Sequence, residues 1–90
     1  MSYADTKQYI DAKNLFKELT FLLYNIDYYP LTQELVNAER EVKKTRDAKK
    51  VQRITEEIMT LFNEADGEGL VEYADYEEIN EVYRKIMEEI

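Results

Sequence analysis

Apolar residues recur at helical spacing along nearly the whole chain, and only Pro30, Gly67 and Gly69 interrupt the pattern strongly. The first segment carries Tyr9, Ala12, Leu15, Phe16, Leu19, Leu22, Leu23 and Ile26, a broad apolar face that predicts a long amphipathic helix. Ser2 or Asp5 can cap its start, and it should run to about Asn25, because the residue before Pro30 is biased away from helix. In the last segment Tyr76, Ile79, Val82, Tyr83, Ile86 and Ile90 make a second stripe. Asp75 is its expected N-cap, with Glu78 three residues on in a capping-box arrangement.

The middle is less simple. Residues 31–66 contain no Gly and no Pro, and Thr32 reads as their N-cap, with Leu31 and Val36 placed as a hydrophobic staple. Leu31, Leu35, Ala38 and Val42 form one apolar row; Val51, Ile54, Ile58, Leu61 and Ala65 form another. On one continuous helix the second row lies roughly 150° around from the first. Such a helix would be about 54 Å long, whereas a compact chain of this size is only about 30 Å across. Either the chain breaks near residues 45–47, where Thr45 or Asp47 can cap a fresh helix, or the two halves bury opposite faces. Lys, Arg and Ala at the midpoint are good helix formers and favour continuity. The expected fold is therefore all-α, one domain over residues 1–90. It has three helices, or four if the midpoint breaks, in a helical hairpin or bundle with a long central helix and antiparallel neighbours. A rod that is apolar on opposite sides leaves edges uncovered in a monomer, so a homodimer is expected.

Composition then removes several kinds of chemistry. An apolar content of 44% is enough for a core, which argues against wholesale disorder. The chain has no Cys and no His, so disulfides, thiolate metal sites, cysteine nucleophiles and the commonest general base are all missing. The pairs Glu56/Glu57 and Glu77/Glu78 are adjacent and point in different directions on a helix, and no glycine-rich phosphate loop is present. No enzyme activity and no cofactor is expected. The polar start is not a signal peptide, and the longest apolar run, Phe21-Leu22-Leu23-Tyr24, is too short to span a bilayer. A soluble, cytoplasmic protein without a membrane partner is the expectation.

Charge is unevenly spread: −3 over residues 1–39, +5 over 40–53 and −10 over 54–90. This distribution disfavours direct nucleic-acid binding, which needs a dominant basic face, and suits a partner protein with a basic surface. Glu64, Asp66, Glu68, Glu72, Asp75, Glu77 and Glu78 are the candidate contacts for such a partner. The basic block of Arg40, Lys43, Lys44, Arg46, Lys49, Lys50 and Arg53 covers more than one helical face and has acidic neighbours in Glu39, Glu41 and Asp47. Tyr28 and Tyr29 at the first turn, with Tyr73 and Tyr76 at the second, are candidate interface aromatics, since Tyr is enriched at binding surfaces.

Residues 64–75 also resemble an EF-hand calcium loop. Glu64, Asp66, Glu68, Glu72 and Asp75 stand at ligand positions, the Leu70 carbonyl at the seventh, and Gly69 and Val71 at the expected glycine and apolar positions. The departures are Glu at the first position, an Asp too short for the bidentate twelfth, and the lack of a second loop. The alternative is an acidic helix–turn–helix with a glycine C-cap and an Asp N-cap.

From about Leu35 onward the chain resembles the YlbF/YmcA family of small helical regulators. The resemblance lies in Asn37-Ala38-Glu39-Arg40-Glu41-Val42, in Asp47-Ala48, and in Asp75-Tyr76-Glu77-Glu78-Ile79 opening the last helix. It implies an all-helical, often dimeric, non-enzymatic protein that acts through complexes, and it carries over no functional residue. Together these readings predict an acidic interaction protein that regulates or inhibits a partner by surface binding. One form is occupation of a basic nucleic-acid-binding surface, as phage-type inhibitors do. The alternatives are a calcium-binding module and a passive assembly subunit.

Overall fold

In the computed structural model, which describes residues 6–90, the chain forms four helices and, among the described residues, no strand. They are α1 (Lys7–Leu23), α2 (Tyr29–Lys44), α3 (Ala48–Gly67) and α4 (Tyr76–Glu88). Helix α1 starts where the Thr6 hydroxyl accepts the Tyr9 N–H at 3.1 Å. The expected caps Ser2 and Asp5 lie outside the described residues. Helix α4 starts as predicted, with the Asp75 carboxylate accepting the Glu78 N–H at 3.2 Å.

The long central helix is not formed. Helix α2 stops at Lys44, Thr45 takes an extended backbone, and Asp47 caps α3 by accepting the Lys49 N–H at 3.0 Å. The chain reverses there and α3 packs back along α2. Reversal supplies the rotation that a single helix lacked. Leu31, Leu35, Ala38 and Val42 now face the same core as Val51, Ile54 and Ile58. Burying each such side chain contributes about 1.5–3 kcal/mol, which outweighs the few weak propensities that favour continuity. The geometric argument for a homodimer, which needed a two-faced rod, falls with that helix.

The start of α2 also differs from expectation. Tyr29 opens it and Pro30 occupies the first turn, where its fixed φ and missing N–H are tolerated. Thr32 is thus inside the helix, its hydroxyl donating to the Tyr28 carbonyl at 3.3 Å. Val36 is exposed, so it makes no staple with buried Leu31.

Helices α1 and α3 form the centre of the bundle, each packing on the other three, while α2 and α4 lie on opposite flanks and do not meet. Two buried or half-buried bonds fix the directions. The Tyr9 hydroxyl at the start of α1 donates to the Val42 carbonyl near the end of α2 at 2.6 Å. The Gln52 amide near the start of α3 donates to the Ile86 carbonyl near the end of α4 at 2.9 Å. Both carbonyls belong to last turns, which lack intrahelical partners. Successive helices therefore run antiparallel, in a body of 50 × 23 × 17 Å. No helix among the described residues is long and apolar enough to cross a membrane.

Candidate functional site

Up-and-down topology brings the first and third turns, residues 24–28 and 68–75, to one end of the bundle. The second turn, with the basic block, lies at the other. Sequence and topology together make this a charged axis. Residues 18–39 and 54–83 hold 14 carboxylates and not one Lys or Arg. All 12 cations sit toward the opposite end, on residues 7–17, 40–53 and 84–85.

The predicted acidic residues are brought to that cation-free end, and every one of them is exposed. Glu64 and Asp66 lie on the last turns of α3, Glu68 is its C-cap, Glu72 is in the turn, and Asp75, Glu77 and Glu78 open α4. Two are occupied locally. Asp75 serves as the α4 cap, and Asp66 accepts the Tyr76 hydroxyl at 2.6 Å. That bond, with smaller contributions from burial and the carboxylate's charge, raises the Tyr76 phenol above its ordinary value. Among the described residues the side chains of Glu64, Glu68, Glu72, Glu77 and Glu78 make no hydrogen bond or ion pair; the ion pairs present lie elsewhere, such as Lys7–Asp11 and Arg84–Glu88.

In the structure residues 64–75 are not arranged as a twelve-residue EF-hand loop. Helix α3 runs on through Gly67, so Glu64 and Asp66 are two residues apart on a helix and point about 200° apart. A Schellman closure follows: Leu70 N–H bonds the Ala65 carbonyl at 2.9 Å and Gly69 N–H the Asp66 carbonyl at 3.0 Å, with Gly69 at φ 75°. Among the described residues no three acidic side chains gather as a metal site.

The four tyrosines divide. Tyr28 is half-buried against the core, while Tyr29 is exposed and its oxygen accepts from the Gln33 amide at 2.6 Å. Tyr76 leans on Phe62, ring centroids 6.0 Å apart. Tyr73 is 85% exposed and holds φ at 60°, a left-handed conformation that bulky residues avoid. Leu70 and Phe21 join them as exposed apolar residues near this end. Phe21 was legible in the sequence, since it falls off the stripe of Phe16, Leu19 and Leu23; exposure of Leu70 depends on the turn and was not.

A second feature was missed altogether. Between α2 and α3 an open groove of about 420 Å³ is lined by Glu34, Asn37 and Glu41 on one wall and Glu57, Thr60 and Glu64 on the other. Ala38, Ile54, Ile58 and Leu61 form its floor. The sequence could not join these walls while residues 31–66 read as one helix. Compared with known protein families, curated proteins and solved structures, the chain matches none.

Proposed function

We propose that this protein is a non-enzymatic interaction protein that regulates or inhibits another protein by binding a basic surface on it. The observation that carries the reading is the cation-free end. Glu64, Asp66, Glu68, Glu72, Asp75, Glu77 and Glu78 are all exposed there with no Lys or Arg between them in sequence, and such single-sign fields raise association rates with oppositely charged partners by about 10–1,000-fold. Tyr29, Tyr73 and Leu70 stand exposed among those charges, offering apolar anchors inside a polar surround. Occupation of a nucleic-acid-binding surface is the particular form that this charge pattern suits, because a phosphate backbone and this end present the same sign to a basic groove. The resemblance to YlbF/YmcA regulators points in the same direction.

The test is capture on the immobilised protein with elution by rising salt, run beside the Glu68→Gln, Glu72→Gln, Glu77→Gln variant. A basic protein that elutes early with salt and is lost on the variant supports the reading. Competition by a labelled oligonucleotide for the captured protein then tests the nucleic-acid form. Captured partners that resist salt and ignore the variant would refute electrostatic recognition.

A further inference from the structure

The groove between α2 and α3 combines three properties. Its floor is apolar, from Ala38, Ile54, Ile58 and half-buried Leu61; both rims are anionic; and no cation lines it. The rims are also in register. Glu34 and Glu41 are seven residues apart on α2, as are Glu57 and Glu64 on antiparallel α3. Seven residues are two helical turns, about 10.5 Å. Each wall thus repeats its carboxylate at the distance over which a docked helix repeats its own face.

We infer that this groove receives a short cationic amphipathic helix of the partner. The helix would lower an apolar side chain onto Ile58 and Leu61 while Lys or Arg residues on its flanks meet Glu34, Glu41, Glu57 and Glu64. An apolar groove read by residues at helical spacing is a recurring mode of peptide recognition, and here the rim charge selects the cationic version. A neutral apolar helix would leave four carboxylates beside a newly dried surface with no counter-charge, which is costly. An acidic helix would be repelled. This inference rests on the proposed binding of a basic partner and names where on the molecule a segment of it lies.

The experiment measures binding of a labelled Lys/Leu peptide in amphipathic helical order, against a scrambled peptide of identical composition, by fluorescence anisotropy at low salt. Two variants separate the surfaces: Glu41→Gln with Glu57→Gln in the groove, and Glu72→Gln with Glu77→Gln at the end of the bundle. All four positions are exposed, so the fold is retained, and circular dichroism checks this. The expected result is one-to-one binding that prefers the amphipathic peptide and weakens roughly tenfold in the groove variant, as the loss of two ion pairs predicts. The end variant should change it less than about twofold. Equal binding of both peptides, or loss only in the end variant, overturns the groove and leaves the charge-based function standing. Failure of both peptides to bind at low salt overturns both.

Discussion

Replacing Ala48 by proline tests the break on which the whole architecture depends. Ala48 is the first residue of α3; the first-turn N–H bonds there come from Lys49, Lys50 and Val51, and Ala48 N–H is not a donor among them. Proline therefore removes no bond. Asp47 before it already has φ −113° and ψ 114°, close to the extended range that a residue preceding proline adopts. The folded state is expected to accept the ring, and the stiffer unfolded chain offsets any small misfit by about 0.4–1 kcal/mol. In a continuous helix through residues 31–66 the same change would strike the interior, break a hydrogen bond and cost about 3 kcal/mol or more. In a domain of this size 1 kcal/mol is worth roughly 4–8 °C, so the two cases differ by more than about 10 °C in melting temperature. Thermal and urea unfolding followed by circular dichroism decide between them. Asp47→Ala gives an independent sign: loss of a cap destabilises by about 0.5–2 kcal/mol, whereas mid-helix it would stabilise by several tenths. A proline variant that melts more than about 10 °C early, or an alanine variant that melts late, would refute the reversal at residues 45–47.

Other changes probe single contacts. Tyr9→Phe leaves the buried Val42 carbonyl without its hydroxyl partner and should cost about 1–3 kcal/mol in urea unfolding; an unchanged midpoint would show that α2 satisfies that carbonyl itself. Tyr76 has its phenol raised by the bond to Asp66, so the neutral form is favoured in the folded chain. Its contribution is fully present below the ordinary tyrosine range and is lost as pH rises through the folded value; Asp66→Asn should bring the Tyr76 titration, followed by NMR of labelled tyrosine, back toward that range. Tyr73→Gly relieves a left-handed backbone and should stabilise by about 0.5–1 kcal/mol, while weakening capture of a basic partner. Stabilisation without any loss of binding would remove Tyr73 from the interface.

Helix existence was written in the apolar periodicity. The stripe of Tyr9 to Ile26 is buried or half-buried as its spacing implies; of the stripe from Tyr76 to Ile90, Ile79, Val82 and Ile86 are buried, Tyr83 and Ile90 half-buried and Tyr76 exposed, and the Asp75 cap forms as the residue types suggested. What could not be read was the sign of a contest. At residues 43–50 the lysines, Arg46 and Ala48 favour helix while Thr45 and Asp47 offer caps for a break, and the gain from seating Val42 and Val51 in one core decides for reversal. That gain depends on contacts remote in sequence, including the Tyr9 hydroxyl, whose acceptor on Val42 lies 33 residues away. The acidic residues of 64–78 were legible as a surface, because no apolar stripe includes them. The groove was not, because its two walls become neighbours only after the turn.

Chain reversal also explains how charge blocks alternating in sequence become poles in space. In an up-and-down bundle, the first and third turns share an end and the second turn takes the other. An acidic–basic–acidic order along the chain therefore folds to one acidic pole and one basic pole, whereas a rod would have held the basic block at its centre. Separating opposite charges in this way forgoes stabilising pairs; Lys7–Asp11, Arg84–Glu88 and Lys85–Glu81 are exposed i,i+4 contacts, each worth about 0.3–0.5 kcal/mol. Intermixed charges would serve solubility equally well and lessen self-repulsion at the acidic end. Stability therefore gives no reason for the run of seven exposed carboxylates between Glu64 and Glu78. The proposed recognition of a basic partner supplies one, and it also makes a specific demand: neutralising that pole should raise the melting temperature at low salt while weakening binding to a cationic partner. A variant that loses both together would mean that the pole serves the fold.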